Sequence, residues 1–561
     1  MSEALTSRVL TKRESATEAS EWSAASSEIV VGKDILELLS SSMYVDPMTI
    51  YREYTQNSAD AIDEARGNGL LGSKTSGRVS ISINPVGRVI RIRDNGAGIP
   101  WSDFFQRLSS LGASKKRGTE ARGFRGVGRL AGLGYCQELI FRSRASTEKL
   151  VSEMRWDCRV LKSALRSANN SQRLAEIVQS IVSARRVPAN DYPDHFFEVE
   201  LKGVIRHRDD RLLNPVAVAE YLSQVAPVPF SPEFAFASEI EAALAAHVNL
   251  ANLDIRINGS ESPIFRPHRN SFPLNELAMD KTTQLEIAAL NDVDGNVAAI
   301  AWVAHHGYYG ALPAKALVKG IRLRSGNVQV GDNNLLEGMF SETRFNAWAI
   351  AEVHVVDKKV LPNGRRDHFE HSAHLDNLLN QLTPLIREIA RRCRDSSIAR
   401  KWVREFDTHK QAVLDESKVV RRGGLSKTAL KSRSDSIAKS LKAIDKIVAT
   451  RHIDEGTRKD LSEQATSLHA SAVRVLKGDA TEVDPLEHFR PVEKRVYRNI
   501  ISLIYECSAN RAAALSLVDK LLSRLGTNAR SATSVKPNTA INKSRPHRKT
   551  VAAKRARKSK R

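Results

Sequence analysis

The chain has 561 residues, 41% of them hydrophobic and 27% charged, with a formal net charge of +22. That length exceeds a single hydrophobic core and implies two or three domains, and the composition excludes a wholly disordered chain. No apolar run approaches the roughly 18 residues that cross a bilayer, and Cys136, Cys158, Cys393 and Cys507 lie far apart with no CxxC pair, against a disulfide framework or a zinc ribbon.

Residues 1–28 are rich in Ser, Glu, Thr and Ala without periodicity and read as a mobile arm. They lack the basic-then-apolar order of a signal peptide, so no membrane association is expected and a reducing cytoplasm is the expected setting. A helical pattern occupies Ile29 to Glu64, followed by two alternating strands, "RVSISIN" and "RVIRIRD", joined by the turn Asn84-Pro85-Val86-Gly87. A glycine-rich stretch runs from Gly112 to Gly134, and a further strand is predicted from Phe196 to Val204. This order is α+β. A connecting helix is predicted over Leu212 to Phe230, and residues 250–370 mix strands, "LDIRING" among them, with short turns into a second α+β domain. Helical periodicity dominates from His374 to Leu525, with Lys439–Leu476 readable as a helical hairpin or a dimer seam. From Gly526 to Arg561 there are 12 Lys or Arg and no Asp or Glu. Such a tail suits nucleic acid as a partner, or serves only as a solubiliser. The expected domains are therefore 29–210, 211–390, 391–525 and a basic disordered tail, 526–561.

Three short patterns carry chemistry. In "REYTQNSADA" a helix places Glu53, Asn57, Asp60 and Glu64 on one face. Glu53 can take a proton from an attacking water, and Asn57 offers a neutral oxygen to a Mg²⁺ that also holds phosphate oxygens. Alone, the pattern equally describes an amphipathic helix with a polar stripe. In "RIRDNGAGIP", Asp94 sits at a strand end, where it can accept from an exocyclic amine such as that of adenine, and Gly96 and Gly98 allow close approach of the base. In "GFRGVGRLAGLG", Gly123, Gly126 and Gly128 precede a predicted helix and can turn amide N–H groups toward phosphate. The P-loop pattern GxxxxGK[ST] does not occur.

ExxxNxxDA, then DxGxG, then GxxGxG, in that order, resembles the GHKL superfamily, which includes the ninety-kilodalton heat-shock chaperone, gyrase-type topoisomerases, mismatch-repair clamps and histidine kinases. The resemblance implies an N-terminal Bergerat-fold ATPase binding ATP with Mg²⁺, with Glu53 as general base, Asn57 on the metal and Asp94 on adenine. It extends the pocket to Asp60, Ala61, Gly96, Gly98 and Ile99, and to Gly123, Phe124, Arg125, Gly126, Val127 and Gly128 around the phosphates. The intervening "LSSLGASKKRGTEARG" resembles the family's ATP lid, with Ser114, Lys115 and Lys116 beside the nucleotide. The family usually has a Thr on the strand after the lid, and "HFFEVELKG" has none at its start.

Residues 250–390 resemble the chaperone's middle (transducer) domain, and "VDKKVLPNGRRDHFEH" resembles its loop carrying an Arg that reaches the γ-phosphate. Arg366 stands at the matching place, with Arg365 the alternative. No acidic cleavage motif or DQHAxxxE string accompanies the match, against a topoisomerase or a nicking mismatch-repair subunit. A chaperone-like homodimeric ATPase acting on protein clients and a nucleic-acid-associated clamp ATPase both remain open. His305 and His306, adjacent in a predicted strand, point to opposite faces and are not expected to share a metal.

Overall fold

A computed structural model describes residues 46–72, 75–110, 128–166, 174–207, 209–478 and 484–532. The chain divides into two compact units, 1–397 and 398–561.

Among the described residues of the first unit, helix α1 (Thr49–Gly67) comes first; the expected arm, 1–28, and the expected helical pattern over 29–45 lie outside them. Strands β1 (Gly77–Asn84) and β2 (Val89–Asp94) follow as the predicted hairpin, closed by a hydrogen bond from Gly87 N–H to Asn84 Oδ1 (2.8 Å). Helix α2 (Trp101–Ser109) precedes β3 (Glu138–Arg144), β4 (Leu150–Asp157), α3 (Cys158–Arg166), α4 (Leu174–Ile181), β5 (Val182–Pro188) and β6 (Phe196–Lys202). Next come α5 (Pro215–Val225), α6 (Ala237–Ala245) and β7 (Leu253–Ile257). Asn214 caps α5 by accepting from the N–H groups of Val216 and Ala217, with Pro215 in the first turn. The strands form one seven-stranded sheet in the order β5-β4-β3-β6-β2-β1-β7. In β1, Val79, Ile81 and Ile83 alternate with exposed residues and turn inward onto Ile50, Tyr54 and Ile62 of α1.

Two expectations are corrected by this sheet. "LDIRING", assigned to the second domain, supplies β7, which pairs in parallel with β1, Ile81 facing Ile257. Leu212, Leu222 and Ile255 belong to the same core as α1, so no core boundary falls at 210. Strands β3, β4 and β5 were not anticipated. Their burial does not alternate cleanly, because Arg142, Ser143 and Ser152 are buried polar residues that break the apolar pattern.

The second sheet uses β10 (Gln284–Asn291), β11 (Val297–His305), β12 (Gly320–Ser325), β13 (Val328–Val330) and β14 (Ile350–Val355), after a short ribbon of β8 (Ser271–Pro273) and β9 (Met279–Lys281). Its order is β10-β11-β14-β12-β13, with β12 and β14 parallel. One face (Ala301, Val303, Leu323, Val353) packs on Leu378, Leu382, Ile386 and Ile389 of α7 (Ala373–Arg422). The boundary expected at 390 falls inside this 50-residue helix, because nothing in its periodicity marks the change from packing on a sheet to packing on helices.

In the second unit, α8 (Lys427–Val448) and α9 (Glu455–Lys477) form a helical hairpin. Ile437, Leu441 and Ile444 meet Leu461, Ala465 and Leu468, along with Phe406 and Val413 of α7. Ser426 and Asp454 cap the two N-termini. Helices α10 (Pro491–Cys507) and α11 (Arg511–Ala532) share a smaller core around Ile501 and Val518. Among the described residues no helix is long and apolar enough to cross a membrane.

Candidate functional site

The first wall is α1. Glu53 is nearly buried, 9% exposed, and a Cβ added at Gly128 would overlap its Oε2. Gly128 thus lies against the carboxylate expected to activate water. Tyr54 fixes this contact, its hydroxyl donating to Arg129 O (3.2 Å) and accepting from Gly132 N–H (3.0 Å). One helical turn on, Asn57 is half-buried, with Asp60 buried and Ala61 half-buried beyond it.

The second wall is the end of β2. Ala97 N–H donates to Ala61 O (3.0 Å), and a Cβ on Gly96 would stand 2.8 Å from the Ala61 carbonyl carbon. Only a residue without a side chain lets the strand end approach the helix so closely. Gly98 has φ +70°, and a Cβ there would overlap the Arg144 carbonyl, while Ile99 is buried beside it. Asp94 is 4% exposed, and burial pushes its carboxyl up to about 6 against the opposing hydrogen bonds from Gly96 N–H, Ser58 and Phe197 N–H. The Gly96 and Phe197 bonds both reach Oδ1, at 2.9 and 3.3 Å.

Four residues absent from the sequence reading complete these walls. Ser58 bonds Asp94 from α1. Strand register aligns Asp94, Phe197 and Ser143 in one row across β2, β6 and β3. Ser143 Oγ accepts from Ile99 N–H (2.7 Å) and donates to Phe196 O (3.1 Å), so a hydroxyl on β3 ties the turn after Gly98 to β6, although His195–Gly203 lacks a Thr. His195 Nδ1 lies 2.8 Å from Gly96 O. The fourth, Arg52, precedes Glu53. Its Nη2 donates to Glu53 Oε1 (3.0 Å) and to Arg365 O (2.7 Å), and its Nη1 to Arg366 O (3.4 Å).

That last contact brings the second domain to the site. The 363–368 turn is held by Asn363, whose side chain pairs with Asp367 (2.6 Å) and accepts from its N–H (3.2 Å). Arg366 is buried at φ +54°, and its carbonyl also accepts from Gly331 N–H (2.8 Å), whereas Arg365 is exposed. Helix α1 therefore receives both the glycine segment and the arginine turn within one turn of Glu53. Ser114, Lys115, Lys116, Gly123, Phe124, Arg125, Gly126 and Val127 lie outside the described residues. Elsewhere, His305 bonds Glu286 and Tyr308 while His306 bonds Asp280 and the Trp348 carbonyl. Among the described residues no group of three or more His, Cys, Asp or Glu is placed to hold a metal ion.

Residues 49–184 match the family described as "Histidine kinase-, DNA gyrase B-, and HSP90-like ATPase". This segment is similar to the GHKL, HSP90-like ATPase domains. Similar proteins include the chaperone protein HtpG of Albidiferax ferrireducens, 24% identical over 208 residues, which are 32% of this chain and 31% of that protein. HtpG of Idiomarina loihiensis is 27% identical over 142 residues, 22% of each chain. HtpG of Legionella pneumophila (strain Paris) is 33% identical over 87 residues, 15% of this chain and 14% of the relative. The chain thus spans less than a third of the length of these relatives. The domain match covers α1, β1, β2 and the Asp94 strand end.

Proposed function

We propose that this chain is an ATP-driven conformational switch that hydrolyses ATP to ADP and phosphate and completes its site by docking the second domain. The observation that carries the reading is that Arg52 bonds both Glu53 and the carbonyls of Arg365 and Arg366, while Gly128 lies against the same carboxylate. Asp94, ionised at neutral pH, accepts from the adenine amine, and Gly96 and Gly98 admit the flat base against the backbone. Glu53 takes the proton of the attacking water through the oxygen that Arg52 does not hold. Arg366, with Arg365 as the alternative, brings positive charge toward the γ-phosphate from the second domain.

A Mg²⁺ ion fits this donor set. It binds proteins through one or two groups and keeps water and phosphate oxygens for the rest, so Asn57 on the Glu53 face can serve as its protein ligand. When bound, the ion supplies charge neutralisation on the phosphates. A homodimer acting on protein clients is the working form this reading expects. The test is isothermal titration of ATP–Mg²⁺ paired with phosphate release. Glu53→Ala should bind ATP with little change yet turn it over at least about 100-fold more slowly, and normal turnover by that variant would remove Glu53 as the base.

A second reading, a nucleic-acid-associated clamp ATPase, is favoured by the 12 Lys or Arg and no acidic residue in 526–561. Duplex DNA and an unfolded protein would be compared as stimulators of phosphate release. Stimulation by DNA that vanishes on deleting 526–561 and weakens steeply with salt selects the clamp reading.

A further inference from the structure

A cavity of about 680 Å³ lies between α5 and the second domain, and none of the candidate nucleotide residues lines it. Its volume is within the roughly 300–1,000 Å³ range of small-molecule sites. Val216, Ala219 and Ser223 of α5 face it, whereas Val218, Leu222 and Val225, on the opposite side of that helix, pack into the ATPase-domain core. Phe234, Ile264, Phe272, Leu317 and Ile350 make the remaining wall largely apolar.

One buried polar group interrupts that wall. His268 lines the cavity and is 3% exposed, its ring enclosed by Phe230, Phe234 and Trp302 at centroid distances of 5.6, 5.8 and 5.0 Å. Its buried Nδ1 meets no hydrogen-bond partner among the described residues. Burial above all, reinforced by the nearby Arg266, Arg322 and Arg324, pushes its pKa down to about 3, so the ring is neutral and keeps one N–H to donate. An unmatched buried donor or acceptor is destabilising, and a ligand that bonds it relieves the cost.

The surrounding field has a sign. Arg266, Arg322 and Arg324, each at most 3% exposed, face a single buried carboxylate, Glu352, which Arg266 and Arg324 share. Arg322 turns instead to Gln329 Oε1 (2.9 Å), Gln224 Oε1 (3.0 Å) and the carbonyl of Leu317 (2.7 Å), a wall residue of the cavity. Lys315 and Arg269 add positive charge among the lining residues, against one acid, Glu220.

We propose that this cavity binds a small amphipathic carboxylate, with its aliphatic body on the apolar wall and its carboxylate accepting from His268 within the field of the three arginines. The proposal is independent of nucleotide binding and is tested without nucleotide. Octanoate is titrated calorimetrically into the full chain, with 1-octanol as the uncharged match. One saturable site is expected, with octanol weaker by about tenfold or more, the scale of a lost hydrogen bond to a charged group. Ala219→Trp, which fills the cavity, should abolish octanoate binding. His268→Phe, which keeps the ring but removes its N–H, should bring octanoate affinity down by about tenfold toward that of octanol. Thermal melts of both variants establish that they are folded. No saturable octanoate binding, equal affinity for octanol, or undiminished binding to folded Ala219→Trp would overturn the proposal.

Discussion

At Asp94 two pH dependences run in opposite directions. Its carboxyl is raised from 3.8 to about 6 by burial, so the folded state holds the proton more tightly than the unfolded chain does. Holding the ionised form buried therefore costs stability above pH 6. That cost is relieved as pH falls from about 6 toward 4, and is gone below the unfolded value. Asp94→Asn should melt higher than the wild type at pH 7.5, with up to about 3 kcal/mol more stability, and the gap should close by pH 4. On the proposed reading nucleotide affinity should follow the reverse course, because an amine donates more strongly to an ionised carboxylate than to a neutral carboxyl or an amide oxygen. It should fall in the wild type as pH drops below 6 and be lost in Asp94→Asn at every pH. Melting curves and titrations across pH 4–8 measure both, and an Asn variant that still binds ATP would remove Asp94 from the base pocket.

On the proposed reading Arg52 is a positioning residue, since it donates to Glu53 and to two carbonyls of the second domain. Arg52→Ala should lower kcat by up to about 100-fold while leaving the affinity for ATP nearly unchanged, because a misplaced base slows chemistry without emptying the pocket. Arg52→Lys should recover little, as one ammonium cannot span the carboxylate and both carbonyls. A parallel loss of ATP affinity would assign Arg52 to nucleotide binding instead. Arg52 was open to notice in the sequence, adjacent to Glu53, but its carbonyl partners at Arg365 and Arg366 are more than 300 residues away and no local pattern points to them.

Among the elements, legibility follows how local the forces are. Helix α1 and the β1–β2 hairpin are readable because 3.6-residue and two-residue periodicities and a turn sequence define them. Strand β7 is not, because its pairing with β1 crosses some 170 residues and "LDIRI" alternates as well for one sheet as for another. Ser143 was missed for the same reason, since its place in the Asp94 row, with Phe197 between them, comes from the register of three strands. The misplaced strand has an experimental consequence. A fragment of residues 46–210 lacks β7 and α5, leaving the β1 edge unpaired and losing Val218, Leu222, Leu253 and Ile255 from the core. At about 1.5–3 kcal/mol for each buried aliphatic side chain, that loss approaches or exceeds a domain's whole stability of about 5–15 kcal/mol. Fragment 46–258 should melt cooperatively and 46–210 should not, by circular dichroism. Two equally cooperative melts would mean that β7 only decorates the sheet.

On the scale of the molecule, the question is why the first domain would carry the second domain's turn against the helix that bears Glu53. The Arg365 and Arg366 carbonyls are acceptors for Arg52, and Arg52 in turn donates to Glu53, so on the proposed reading the orientation of Glu53 depends on the second domain being docked. Binding needs less: Asp94, Gly96, Gly98 and Asn57 all lie within residues 46–258. Binding and turnover should therefore separate on truncation. Fragment 46–258 should bind ATP–Mg²⁺ within about threefold of the full chain yet release phosphate at least about 100-fold more slowly, whereas 46–397 should recover most of the rate. In 46–397, Asn363→Ala removes the side chain that pins the turn to Asp367 and should lower the rate while ATP affinity holds. Full turnover by 46–258 would make the first domain a self-sufficient ATPase and reduce the arginine turn to packing. A rate that returns with residues 259–397 makes hydrolysis a report on domain docking, which is what a conformational switch requires.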